Sequence, residues 1–210
     1  MNKLVLHDYF RSSASFRVRI ALNLKGLDYE RVEVSLLVGD QRSDAFLDQN
    51  AQGFVPMLVA DGEPIIQSLA IIDWLDRAFP EPLLIPEAPG PRSVAWAQAM
   101  VVACDIHPLN NMRILKYLAS DLGLNETVRD RWIAKWISDG FDALEAMAGD
   151  GPFLGGDAPG IADACLVPQI YNARRFEVPL ETFPRLVEID ANCMALEPFQ
   201  RAHPDVVKGE

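Results

Sequence analysis

Arg11-Ser12-Ser13-Ala14-Ser15-Phe16-Arg17-Val18-Arg19-Ile20-Ala21-Leu22 is the stretch from which the fold is read. Upstream of it, residues 4–7 form a short apolar run that reads as a strand. At Arg11-Ser12-Ser13 the run stops, the serines offer capping oxygens, and the spacing turns helical through Leu24. Gly26 stands where a helix C-cap belongs. Residues 29–34 alternate with β-branched side chains and read as a second strand, and 43–48 as a short helix. Residues 55–59 and 64–66 form two further strands joined by Asp61-Gly62, a hairpin signal. Ser68 then reads as the cap of an amphipathic helix to about Phe79, with Ile71, Ile72 and Leu75 on one face. The order is βαβ, a helix, then ββα.

Working outward, five prolines (Pro80, Pro82, Pro86, Pro89 and Pro91) fall within the twelve residues 80–91. Proline lacks an N–H and breaks helices and central strands, so this segment reads as a linker without a helix. The expected domains are 1–80, a linker at 81–91, and an all-helical domain over 92–210. Helical periodicity runs over 92–119, 126–148, 161–176 and 183–197, interrupted at 149–160 by a Gly/Asp/Pro-rich loop.

Half of the 210 residues are hydrophobic and 23% are charged, a globular balance. No apolar run approaches the length of a membrane span, and the N-terminus has no basic-then-apolar pattern; a cytoplasmic protein with no membrane partner is expected. The formal net charge of −11 repels phosphate backbones and argues against a nucleic-acid partner. The same charge sets a condition: an anionic substrate would need locally clustered arginines. Cys104, Cys165 and Cys193 are scattered, with neither CxxC nor zinc-like spacing, so no metal is expected and all three read as buried thiols.

The Arg11–Leu22 stretch closely resembles the serine-rich motif of zeta-class glutathione transferases, which usually have cysteine where Ala14 stands. The resemblance covers roughly residues 3–205. It implies a glutathione transferase fold: an α/β thioredoxin-like N-terminal domain followed by an all-α C-terminal domain. It also implies glutathione as cofactor, a homodimer and a catalytic serine. The residues agree independently, since a serine hydroxyl beside the unpaired N–H groups of a helix start suits a thiolate. The thiolate, not the thiol, is the nucleophile. Ser12 and Ser13 are the catalytic candidates, and with Ala14 they form the thiol end of the glutathione site.

Val55-Pro56 resembles the family's cis-proline loop, whose preceding residue pairs its backbone with the cysteinyl part of glutathione. Gln67-Ser68 resembles the pair that grips the γ-glutamyl group, and Gln41 and Gln52 are candidates for the glycine end. In the helical domain, Asp105-Ile106-His107-Pro108-Leu109-Asn110-Asn111-Met112-Arg113 resembles the stretch facing that site. His107 and Asn111 would contact glutathione and Arg113 would reach substrate. The His-Pro-x-Asn-Asn form is most similar to the maleylpyruvate-isomerising members. His107 precedes proline, where helical geometry is disfavoured, so a local break is expected there. Leu166-Val167-Pro168-Gln169 and Asn172-Ala173-Arg174-Arg175-Phe176 also resemble the class, and Arg175 matches a carboxylate-binding arginine. For Arg174 a solvated surface role is equally good. Ile161-Ala162-Asp163 is similar to the superfamily's capping box, with Gly160 in place of the serine or threonine cap.

Because the family's cysteine is absent at Ala14, the nucleophile must come from glutathione. The implied reaction is cis–trans isomerisation of maleylacetoacetate or maleylpyruvate: a thiolate adds to the double bond, the bond rotates and the thiolate leaves. Ser12 and Ser13 would stabilise the thiolate, while Arg11, Arg113 and Arg175 would hold the carboxylates. The two substrates differ by one methylene, which is worth only about 1–3 kcal/mol of discrimination. The alternatives are a glutathione-conjugating transferase or dehalogenase, and a non-catalytic binding module on the same fold.

Overall fold

The computed structural model describes residues 3–208. The first apolar run becomes strand β1, Leu4–Asp8, with alternate residues buried as the two-residue period requires. Helix α1, Ser13–Leu24, follows, and Gly26 ends it at φ +62°, a left-handed conformation that glycine adopts without steric cost. Next come strand β2 (Glu30–Glu33), a 3-10 turn at Asp40–Arg42, helix α2 (Asp44–Leu47), strands β3 (Met57–Ala60) and β4 (Glu63–Ile66), and helix α3 (Ser68–Ala78). The sheet runs β2-β1-β3-β4, with β1 and β2 parallel and the other neighbours antiparallel. This is the βαβ-α-ββα order read from the sequence.

Two compact units divide the chain. One runs through Ile85 and takes in the chain from Met194 onward; the other is Pro86–Cys193. The second unit is helical: α4 (Pro89–Met100), a wide π-helical segment (Val101–Ile106), α5 (Met112–Ser120), α6 (Glu126–Met147), α7 (Ile161–Arg175) and α8 (Pro184–Met194), whose last residue falls in the first unit. Helices α9 (Glu197–Ala202) and α10 (Pro204–Val207) belong to the first unit, although the sequence reading carried the second domain to residue 210.

A buried ionic cluster explains that placement. The Asp8 carboxylate, fully buried at the end of β1, accepts from Arg19 Nη1 at 2.7 and 2.8 Å and lies 3.2 Å from Arg31 Nε. Other guanidinium donors reach the C-terminal segment, Arg19 Nε donating to the Ala202 carbonyl at 2.9 Å and Arg31 Nη1 to that of Val207 at 2.6 Å, while Arg19 Nη2 donates to the Phe10 carbonyl at 3.0 Å. Burial pulls the Arg19 pKa down, and Asp8 opposes the shift. Buried arginines are tolerated when paired and hydrogen-bonded, and here Arg19 ties α9 to α1 while Arg31 ties α10 to β2.

The proline-rich stretch is held rather than free. Buried Lys25 donates to the carbonyls of Phe79 and Pro82 at 2.7 and 2.8 Å. It also meets the Asp76 carboxylate at 2.8 Å, which itself accepts from the amides of Leu84 and Ile85. The expectation that residues 80–91 hold no helix is corrected, because α4 begins at Pro89. Proline is destructive inside a helix, yet in the first turn its missing N–H would have had no partner. Cys104 also departs from expectation: it is exposed, whereas Cys165 and Cys193 are buried. Burial among carboxylates pushes the Cys193 thiol up, so it stays protonated.

In the second unit Asp163 organises the 149–160 loop. Its carboxylate accepts from the amides of Leu154 (2.8 Å), Gly155 (3.1 Å) and Gly160 (2.9 Å), the last being the N-cap of α7. Burial raises the carboxyl pKa against the pull of these donors. Asp163→Asn keeps one acceptor oxygen and strands at least one buried amide, so a loss of about 1–3 kcal/mol is expected, read as a lower urea midpoint. An unchanged midpoint would show that the loop finds other partners.

Candidate functional site

Strand register decides which loops meet. His7 pairs with Met57, and Met57 with Ile66, so the end of β1, the start of β3 and the end of β4 lie at one end of the sheet. Beyond that end the chain runs into Ser12, enters β3 from Val55-Pro56 and leaves β4 through Gln67-Ser68. Asp8 pairs with Glu33, so the parallel strand β2 also ends there and leads to Gln41. An apolar cluster of Tyr9, Val34, Phe46, Val55 and Met57 supports these loops. The register thus gathers the first-unit candidates Ser12, Val55, Pro56, Gln67 and Ser68 around one rim.

Ser12 is the N-cap of α1. Its amide donates to the Tyr9 carbonyl at 2.8 Å, and its Oγ accepts from the Ser15 amide at 3.2 Å. A hydroxyl that accepts through a lone pair keeps its proton to donate. Ser12 is half-buried, no acidic residue lies in the first turn of α1, and the helix dipole places partial positive charge there. Ser13 is the first helical residue and is buried; Ala14 is half-buried. Arg11 is exposed, with its guanidinium 5.2 Å from the Phe10 ring centroid and 3.4 Å from the Tyr9 hydroxyl.

The Val55-Pro56 peptide is cis, as the resemblance implied, and the sheet ladder begins only after the proline. Ser68, read from sequence as the cap of α3, is instead its first helical residue. The N-cap is Gln67, whose backbone stands at φ +73° and whose side chain makes no capping bond. The Gln67 amide reaches sideways, Nε2 donating to Gln52 Oε1 at 2.6 Å, and Arg42 Nη1 donates to the Gln52 carbonyl at 3.2 Å. Gln41 buries its Oε1 without a hydrogen-bond partner among the described residues. This rim therefore offers a hydroxyl donor at one helix start, a second helix start without a side-chain cap, and amide groups between them. Such a set suits an extended peptide carrying a thiolate and carboxylates.

The second unit holds the remaining candidates. His107 follows the π-helical segment and, against expectation, keeps helical backbone angles despite Pro108; the break comes in the turn after it. Its amide donates to the Val102 carbonyl at 2.9 Å, the long reach of a π turn. Gly140 of α6 permits this packing, because a Cβ there would lie 2.3 Å from Ile106 Cδ1. Asn111 caps α5, its Oδ1 accepting from the Arg113 amide at 3.1 Å, and Arg113 is exposed. The adjacent arginines of α7 separate: Arg174 is bound at 2.7 Å to nearly buried Asp190, while exposed Arg175 lies over the Phe176 ring at 4.8 Å.

Family comparison agrees with the fold. Residues 6–83 match the glutathione S-transferase N-terminal domain and residues 126–190 the C-terminal domain. A maleylacetoacetate isomerase of Rhizobium meliloti (strain 1021) is 46% identical, with 99% of each chain covered. A solved bacterial maleylpyruvate isomerase, described as a zeta-class glutathione S-transferase, is 44% identical over 96% of this chain and 97% of its own, with a TM-score of 0.94. The chain belongs to the zeta class of glutathione S-transferases. A solved maleylacetoacetate isomerase of Anaeromyxobacter dehalogenans 2CP-1, described with GSH in its active site, is 41% identical to this transferase over 98% and 96% of the two chains, with a TM-score of 0.88.

Two features of this candidate site escape the reading of the sequence. Arg17, within the motif itself, donates from Nη1 to Ser68 Oγ at 3.3 Å. The side-chain link between Gln67 and Gln52 was also missed. For Arg17 a signal existed: Arg17 and Arg19 alternate with Phe16, Val18 and Ile20, and charges inside an apolar run need buried partners.

Proposed function

We propose that this transferase is a glutathione-dependent cis–trans isomerase of a maleyl keto-diacid, maleylacetoacetate or maleylpyruvate. The observation that carries the reading is Ser12: a helix-capping serine with its proton free to donate, at a position where no protein thiol stands. Bound along the rim, glutathione supplies a thiolate that adds reversibly to the maleyl double bond. Ser12, with Ser13 beside it, donates toward that sulfur and holds it deprotonated. The backbone of Val55 and the start of α3 with Gln67 and Ser68 hold the peptide, and Gln41 and Gln52 take its glycine end. The start of α3, which has no side-chain cap, fits a carboxylate of this ligand. The resemblance assigns His107 and Asn111 to glutathione as well. Arg11, Arg113 and Arg175 hold the diacid and offset developing negative charge; Arg174, committed to Asp190, does not.

The reading includes a cytoplasmic homodimer without nucleic-acid or membrane partners. Three free cysteines, one exposed, suit a reducing compartment, and Val94, Met100, Met112 and Tyr117 present apolar surface for a second copy. No helix among the described residues is long and apolar enough to cross a membrane.

The test is turnover of a maleyl keto-acid with glutathione far below substrate concentration. Isomerisation with glutathione recovered supports the reading; consumption of glutathione on halides alone favours a conjugating enzyme, and no turnover of either favours a binding module. In the same assay Arg175→Ala should raise KM for the diacid about tenfold, the ~1.4 kcal/mol scale of a hydrogen bond to a charged group. Equal effects of Arg174→Ala and Arg175→Ala would show the assignment of Arg175 to be wrong.

A further inference from the structure

We propose that Arg17 is a positioning residue of the glutathione site, orienting the Ser68 hydroxyl toward the ligand's γ-glutamyl carboxylate. The inference rests on the reading of Ser68 given above. Arg17 lies in α1, only 2% exposed, and donates from Nη1 to Ser68 Oγ at 3.3 Å. A guanidinium has donors and no acceptor, so this bond fixes Ser68 as the acceptor on that side and leaves its proton for another partner. Ser68 is the first residue of α3, and Gln67 leaves that helix start without a side-chain cap. The freed hydroxyl and the first amides of α3 form one donor set for a carboxylate. Because Arg17 is buried, its charge is little screened by water, and it adds to the field at that helix start. Arg17 and Ser12 also share one helix. One hydrogen bond therefore couples the element holding the thiolate of the central cysteinyl residue to the element holding the γ-glutamyl carboxylate.

The experiment measures binding by calorimetry for two ligands: glutathione, and γ-aminobutyryl-cysteinyl-glycine, which lacks only the α-carboxylate of the γ-glutamyl group. Arg17→Met should weaken glutathione by about 10–100-fold, the range for a hydrogen bond to a charged group, and change the analogue less than about twofold. At saturating glutathione, kcat should stay within about twofold. Arg17→Lys, which keeps a donor and the charge, should lose only part of the affinity. Ser68→Ala should show the same ligand preference, and the double variant should be no weaker than the worse single one. Should Arg17→Met fail to fold, Arg17→Lys carries the same two-ligand comparison. Equal loss of both ligands, or loss of neither, overturns the positioning role. If Ser68→Ala leaves glutathione binding intact, the assignment of Ser68 falls and the role of Arg17 falls with it; a selective effect at Ser68 alone removes only Arg17.

Discussion

Ser12→Gly should lower kcat by about 10²–10³ while the protein stays folded, the scale seen when one donor to a developing anion is removed. Glycine is the informative replacement because Ser12 has two roles. Its Oγ accepts from the Ser15 amide, so alanine would also remove a cap worth about 0.5–2 kcal/mol, whereas glycine at an N-cap costs only a few tenths. A kcat loss shared by Ser12→Gly and Ser12→Ala, with a lower melting point only for alanine, separates chemistry from capping. Full activity in Ser12→Gly together with inactivity in Ser13→Ala would move the donor role to Ser13.

The second large effect concerns stability. Asp8 faces two guanidiniums, those of Arg19 and Arg31, and both it and Arg19 are fully shielded from water. Asp8→Ala leaves buried positive charge uncompensated, and about 3–5 kcal/mol should be lost. The readout is the urea midpoint, together with faster hydrogen exchange in α9 and α10. Lys3 supplies the control: it pairs with Glu30 at 3.1 Å, but the two side chains are 76% and 56% exposed. Lys3→Ala should therefore change stability by less than about 1 kcal/mol. A comparable loss in both variants would mean that the Asp8 cluster contributes no more than a surface pair.

These contrasts mark what local sequence rules can reach. The helix start at Ser12 and the hairpin at Asp61-Gly62 were legible because each depends on a few adjacent residues. Ser68 was misplaced by one position, since nothing in a glutamine announces a backbone at φ +73°. Pro89 was read as a breaker although proline is compatible with a first turn. His107 was expected to break before Pro108, but the wide turns preceding it carry the helical geometry one residue further. The coupling of Arg17 to Ser68 spans fifty-one positions and that of Arg19 to Ala202 spans 183, separations that no periodicity encodes. Resemblance supplied what local rules could not, notably the candidate roles of Val55-Pro56 and Arg175.

The tie from α1 and β2 to the last helices has a consequence for biosynthesis. Arg19 and Arg31 are made early, yet the carbonyls of Ala202 and Val207 that they bind lie 183 and 176 residues further along the chain. The contiguous stretch Pro86–Cys193 has all its residues available sooner. Domains commonly mature in the order of translation, from the N-terminus onward. Here the unit that holds the sheet starts before the helical unit and closes after it, so a nascent chain stalled before Ala202 has the whole helical stretch made while the charges of the sheet unit are still open to water.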